Sequence, residues 1–407
     1  MLQGIERPVE ERELAQLITE ASRTRWTLEV AGSGSKRRVG RPMETSGVIT
    51  TRNLRGITLS EPSEQVISAR SGTLLSVVEA ELAKNNQHLA CEPVDLGPML
   101  GEAAGLTSIG GMVATNLSGA RRIQRGAVRD QLLGLRCVNG RGEVFKWGGR
   151  VMKNVTGYDL CRTMSGCWGT LGVFTELTLR AIPRPEDVRT LLLLGLPDSI
   201  AVEVMCQALA TPFEVSGTMH LQPELARRIR LPMLAQSSTS VTALRIENFT
   251  AAVAYRAGKL KDLFVPYGDL VELDRLKSLA FWDELRQLSY LQGSLDPVWR
   301  ISTAPKMGPR LVESIRRYRV CHAAYDWSGG LIWLEVPDAG DAGADDIRRV
   351  VATLGGHATL IRAEPSVRAR VEVFPPLESA VQKLSNGIKQ SFDPLHILNP
   401  GRMYPGQ

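Results

Sequence analysis

Glycine is spread unevenly along this chain, and that unevenness constrains the fold more than any other single feature. Of 38 glycines, 23 fall in residues 1–187 and 15 in residues 188–407. Glycine loses the most backbone freedom on folding, so a concentration of it marks places where the chain bends sharply or approaches another group closely. Three segments carry the excess: Gly32-Ser33-Gly34-Ser35-Lys36, the stretch 107–130 (TSIGGMVATNLSGARRIQRGAVRD), and the stretch 148–179 with Gly169 and Gly172. A turn-rich tail, DPLHILNPGRM at 393–403, is the fourth unusual segment. The stretch 107–130 is not a plain surface loop. Ile109, Met112, Val113, Leu117 and Val128 are interspersed in it, which points to a buried, tightly turned segment.

Hydrophobic periodicity fills in the rest. Leu14, Leu17, Ile18 and Ala21 share one face of a helix over 9–22. Strands are expected at 27–31, 47–51, 66–69, 132–138 and 172–180, with a helix over 74–85 and a hairpin turn at NGRG, 139–142. Pro183 and Pro185 in IPRPE mark a boundary. Beyond it, strands at 188–196, 215–221, 241–246, 331–336 and 357–363 alternate with helices at 199–209, 250–264, 275–291, 309–318 and 344–354. That pattern suggests an α+β domain with an antiparallel sheet. Leu377, Val381, Leu384, Ile388 and Phe392 then end the fold as an amphipathic helix, which stops at Asp393-Pro394. The expected division is 1–187, 188–375 and a returning tail at 376–407. Two or three domains suit a chain of 407 residues.

Several function classes fall away. The net charge of +6 is gathered partly at Lys36-Arg37-Arg38 and Arg121-Arg122. No aromatic residues interleave with these clusters and no nucleic-acid-binding pattern accompanies them, so an anionic small molecule suits the charge better. The six cysteines include no C-x-x-C pair, which argues against zinc or iron–sulfur sites and for reduced thiols in a cytoplasmic setting. No apolar run approaches the roughly 20 residues of a membrane helix, so membrane contact is expected only at the periphery or through a complex. The loop after residue 31 does not open a helix, and no acid follows the next strand, against a dinucleotide-binding Rossmann loop. What remains is strand–loop–strand. Its backbone N–H groups at 32–36, with the Ser33 and Ser35 hydroxyls, could form a nest for a pyrophosphate, and a plain turn is the alternative.

Together and in this order, the Gly-Ser loop, IGGMVATNLSG with RGAVRD, KNVTGYDL with GTLGVFTELTLR, and NPGRM resemble the flavin domain of the vanillyl-alcohol-oxidase/PCMH family of FAD oxidoreductases. The resemblance covers about 1–187 and 376–407. Within that family the chain is most similar to the E-type FAD-binding subunits of glycolate oxidases (glycolate dehydrogenases). It implies an α+β fold: a PCMH-type FAD-binding domain of two α+β subdomains, plus an α+β cap domain with an antiparallel sheet. It also implies roles. Gly32, Ser33, Gly34, Ser35 and Lys36 match the pyrophosphate loop. Ile109, Gly110 and Gly111 match the segment along the phosphates and ribityl chain. Asn116, Ser118, Gly119 and Gly126 match further flavin-lining positions, Gly172 and Val173 a strand start near the adenosine, and Asn399 the tail residue that reaches the isoalloxazine. Residues 31–38 and 107–120 lack the His or Cys that would attach the flavin, so non-covalent FAD is expected. The cap lacks the His-rich metal site of D-type relatives: His220, His322 and His357 are widely spaced, and no His follows Glu364.

The family implies oxidation of a small 2-hydroxy acid, glycolate to glyoxylate, with a D-type FAD subunit and an iron–sulfur F-type subunit as partners. A self-sufficient D-lactate-like dehydrogenase and a scaffold subunit without turnover stay open as alternatives. Residues for the chemistry are few. Such a substrate needs a cation for its carboxylate, and Arg300 is the candidate, with a structural ion pair as the plain alternative. His396 and Tyr158-Asp159 could approach a flavin ring; a capping or packing role is the alternative for each.

Overall fold

The computed structural model describes residues 4–150, 157–236, 238–337 and 340–407. Residues 153–156 of KNVTGYDL lie outside them. The chain forms two compact units. The first is Met1–Ser118, Gly126–Arg184 and Pro376–Gln407; the second is Gly119–Arg125 and Pro185–Pro375.

The first unit has two sheets. In the smaller, Gly47–Thr50 lies between Ile5–Glu6 and Leu28–Ala31, with all pairing parallel. The helix Glu11–Thr24 buries Leu14, Ile18 and Ala21 in a core with Leu28, Ile49, Val173 and Ile397. The larger sheet runs in the order Ile57–Glu61, Val66–Arg70, Gly172–Pro183, Leu132–Asn139, Val144–Gly148, antiparallel throughout. The short strand Gln87–Leu89 adds to the far end of Gly172–Pro183. This is the α+β arrangement implied by the resemblance.

The stretch 107–130, expected as a tight turn, contains a helix, Ile109–Thr115. Two successive glycines disfavour helix by up to about 2 kcal/mol. Ser108 offsets part of that as N-cap, its Oγ accepting from Gly111 N at 3.2 Å. Gly110 is required by proximity: its N–H donates to Ser71 O at 2.8 Å, and a Cβ there would lie 2.9 Å from Ser71 Cβ and O.

The returning tail locks into the first unit. The helix Ser379–Phe392 carries the apolar stripe, yet Val381, Leu384 and Ile388 are exposed, and Lys389 is its buried residue. Lys389 Nζ donates to Thr170 O and Asp393 Oδ2, each at 2.7 Å, and to Leu398 O at 3.2 Å. Asp393, fully buried, also accepts from the N–H groups of Ile397 (3.1 Å) and Leu398 (2.9 Å).

The second unit is built on an eight-stranded antiparallel sheet. Its order is Leu270–Leu273, Asp187–Leu194, Val241–Asn248, Val215–Leu221, His322–Asp326, Leu331–Glu335, Val298–Ser302, His357–Arg362. The unit's main segment begins at Pro185, the second proline of IPRPE. The sequence does not announce that Gly119–Arg125 belongs here. Arg121 holds that segment through a two-pronged bond to Glu247, Nε to Oε1 at 2.7 Å and Nη2 to Oε2 at 2.8 Å. Burial alone would raise the Glu247 carboxyl; Arg121 and Arg245 outweigh it and hold it well below the carboxylate range.

The Lys389–Asp393 pair gives a direct expectation. Lys389→Met leaves a buried carboxylate without its cation, which costs about 3–5 kcal/mol. Urea denaturation of the variant should show a loss of that size, whereas Lys383→Met on the exposed side of the same helix should be neutral.

Candidate functional site

The glycine segments of the first unit converge on one cleft of about 650 Å³. Its floor and walls come from residues 30–37, Thr51, Ser71, Ser108, Gly110, Gly111, Ala114, Thr115, residues 168–169 and 172–174, and Arg402.

The loop at 32–36 is held by its carbonyls. Thr50 Oγ1 donates to Gly32 O at 2.6 Å, Arg52 Nη2 to Ser33 O at 2.8 Å, and Arg37 N to Gly34 O at 3.1 Å. Arg402 Nη2 and Val39 N donate to Lys36 O at 3.0 and 3.2 Å. Gly34 takes a φ of +94°, open to glycine at no steric cost. The N–H groups of Ser33, Gly34, Ser35 and Lys36 make no hydrogen bond among the described residues. A row of unengaged N–H groups beside a cleft is an anion nest. The Ser33 hydroxyl is engaged, donating to Leu106 O.

Lys36 is buried in the cleft wall, with Nζ donating to Thr107 Oγ1 at 2.9 Å. Thr107 passes its own proton to Asp95 Oδ1 at 3.0 Å, and Asp95 also accepts from Gly97 and Gly105 N–H groups. Burial pulls the Lys36 amine down to about 8, against the opposing charge of Asp95. Ser71 Oγ, buried in the cleft, has no partner.

Behind the cleft, Asn399 is fully buried and joins its two rims. Its Oδ1 accepts from Val30 N at 2.7 Å and its Nδ2 donates to Trp168 O at 2.7 Å. Trp168 is held at a φ of +52°, with the Arg402 guanidinium 5.6 Å from its ring centre.

Nine of the residues singled out in the sequence line this cleft: Gly32, Ser33, Gly34, Ser35, Lys36, Gly110, Gly111, Gly172 and Val173. The others lie outside its lining. Ile109 is fully buried in the core. Asn116 Oδ1 accepts from Arg129 N, and Ser118 Oγ from Val128 N. Gly126 faces the Asp130 side chain, Gly119 belongs to the second unit, and Asn399 braces the wall. Thr51, Ser71, Trp168 and Arg402 were not singled out; Ser71, the first residue after a strand and before a glycine, had the clearest signal. Tyr158 is 89% exposed, Asp159 caps the helix Leu160–Met164, and His396 is not in the lining. Among the described residues the lining contains no His and no Cys.

A family profile described as "FAD binding domain" matches residues 2–148. Glycolate oxidase subunit GlcE of Escherichia coli K12 is 34% identical over 405 residues, 96% of each chain. The chain belongs to the FAD-linked oxidoreductase family of GlcE. Glycolate oxidase subunit GlcD of Bacillus subtilis 168 is 24% identical over 96% of this chain and 87% of its own length. Among solved structures, 4-ethylphenol oxidase from Gulosibacter chungangensis shares the fold at a TM-score of 0.74 and 13% identity, over 99% of this chain and 90% of that one. The cofactor of this family is FAD, and the cleft fits it. The unused N–H row suits a diphosphate, and the unpartnered Ser71 hydroxyl suits a polar ligand atom. Among the described residues, no helix is long and apolar enough to cross a membrane, and no cluster of His, Cys, Asp and Glu could hold a metal ion.

A diphosphate seated at residues 32–36 would favour the charged form of the Lys36 amine, so above pH 8 its binding would take up a proton. FAD affinity should be flat below about pH 7 and fall by up to roughly tenfold per pH unit above pH 8. Flavin-fluorescence titrations at pH 7 and pH 9.5 measure it; Lys36→Met should bind more weakly at pH 7 and lose the slope.

Proposed function

We propose that this chain is the FAD-binding subunit of a multi-subunit glycolate oxidase. Glycolate gives up two electrons and two protons at its CH–OH carbon and becomes glyoxylate; the bound FAD supplies the electron-accepting chemistry. The electrons then pass to an iron–sulfur F-type subunit, with a D-type FAD subunit as the other partner. The observation that carries this reading is the whole-length relation to GlcE, at 34% identity over 96% of both chains. The cleft supports it, since a scaffold that had lost its flavin would have no use for four free N–H groups beside a buried lysine.

In this reading residues 32–36 hold the diphosphate, Gly110 and Gly111 let the cofactor pass close to the backbone, and Gly172 and Val173 line the adenosine side. Asn399 positions both rims from behind. The cofactor is non-covalent, because the lining offers neither a His nor a Cys to attach it. The protein works in the cytoplasm, and any membrane association comes through its partners.

The purified chain should be yellow, and acid precipitation should release FAD into the supernatant. Colour retained in the pellet would overturn the non-covalent assignment. With an artificial electron acceptor, the chain alone should turn over neither glycolate nor D-lactate, and addition of the partner subunits should restore glycolate oxidation. Turnover of either acid by the isolated chain would assign it instead to self-sufficient dehydrogenases.

A further inference from the structure

Most buried guanidiniums in the second unit are saturated. Arg362 donates to Asp296 O, Leu291 O and Glu335; Arg228 holds Glu335; Arg121 holds Glu247. Arg300, on the strand Val298–Ser302, is different. Its Nε is buried without a partner, and no hydrogen bond or ion pair engages its side chain among the described residues. Burial and the neighbouring Arg122 lower its guanidinium to about 10, with Asp326 opposing. A buried N–H donor without a partner is costly, and folded proteins retain one where a ligand or an ordered water completes it.

Its surroundings are organised around Trp327. The Arg122 guanidinium lies 4.1 Å from the indole ring centre and that of Arg300 5.1 Å. Two like charges are thus held over one aromatic ring. Trp327 is buried and fixed at both ends. Its Nε1 donates to Gly119 O at 3.0 Å, which also accepts from Arg122 N at 3.1 Å. Its own N–H donates to Asp326 Oδ1 at 2.6 Å. Trp327, Ser328 and Gly329 take φ values of +52°, +57° and +96° in succession. Left-handed conformations at two non-glycine residues are strained and persist where the surroundings over-determine them. Here Ser328 N donates to Thr218 Oγ1 at 3.0 Å, and Cys206 Sγ to Ser328 O. Partial burial, then Arg300 and Arg122, also pull the His357 imidazole below its ordinary range. The positive field therefore reaches a third side chain.

We infer that Arg300 and Arg122, positioned on Trp327, form a receptor for the carboxylate of a small 2-hydroxy acid. A guanidinium offers a fork of donors that matches a carboxylate's two oxygens. The two-arginine site stands on the geometry of the second unit alone; only the choice of ligand rests on the glycolate reading.

The test is glycolate titration of the full chain loaded with FAD, by calorimetry, with thermal unfolding and flavin content measured in parallel. Wild type should bind glycolate. Arg300→Gln should weaken binding roughly tenfold or more, with flavin content unchanged, and should unfold at a higher temperature because an uncompensated charge is gone. Arg300→Lys should keep part of the affinity. An Arg300 that only braces the sheet would give the reverse: a lower unfolding temperature with glycolate affinity within about twofold of wild type, and that result overturns the inference. Flavin-loaded wild type that binds no glycolate also overturns it while leaving the flavin reading intact. A chain that retains no flavin would count against that earlier reading, and the same titration would still decide this one.

Discussion

A single buried ammonium group organises the first unit. Lys389 Nζ, away from water, must satisfy its three protons internally, and it does so with Thr170 O, Asp393 Oδ2 and Leu398 O. Those acceptors belong to the glycine-rich segment before Gly172, the end of the last helix, and the final turn. Their convergence sets where Asn399 stands, and Asn399 in turn ties Val30 to Trp168. The two rims of the cleft are therefore placed by a group that never touches what the cleft holds.

The two units share a logic of leaving polar groups unused. In the loop at 32–36 the carbonyls of Gly32, Ser33, Gly34 and Lys36 are drawn back into the protein by Thr50, Arg52, Arg37, Val39 and Arg402, and the N–H groups are left. In the second unit the buried Glu247 and Glu335 are taken up by Arg121 and Arg228, and the Nε of Arg300 is left without a partner among the described residues. Both leftovers are positive. An anion is the complement we propose in each case, a diphosphate in the first and a carboxylate in the second. Folding removes most freedom from these groups beforehand, so a ligand would meet donors already aimed.

Much of this was legible in the sequence. Gly-Ser-Gly-Ser after a strand pointed to a backbone nest, and the alternation in residues 172–180 and 241–246 appears as strands of the two larger sheets. Single-residue contributions were not legible. Ser71 and Trp168 enter the cleft because distant segments bring them there. The helix Ile109–Thr115 was hidden because its two glycines lower helix propensity; what stabilises it, the Ser71 and Ser108 contacts, is tertiary and capping. The crossing of Gly119–Arg125 into the second unit was hidden for a similar reason. Arg121 and Arg122 read as a basic cluster suited to an anionic small molecule until Glu247 and Trp327, far away in the chain, are placed beside them. The stripe on the last helix reads as an inward face, whereas burial follows Lys389, one position beyond Ile388.

The discontinuity of the first unit has a consequence during synthesis. Its strand Leu28–Ala31 is made early, but the brace on Val30 comes from Asn399, 369 residues later in the chain, which also holds Trp168. Translation proceeds at about 5–20 residues per second, and the second unit is translated entirely before Asn399 exists. A chain cut before Asn399 keeps every residue of the second unit but loses the brace of the cleft wall.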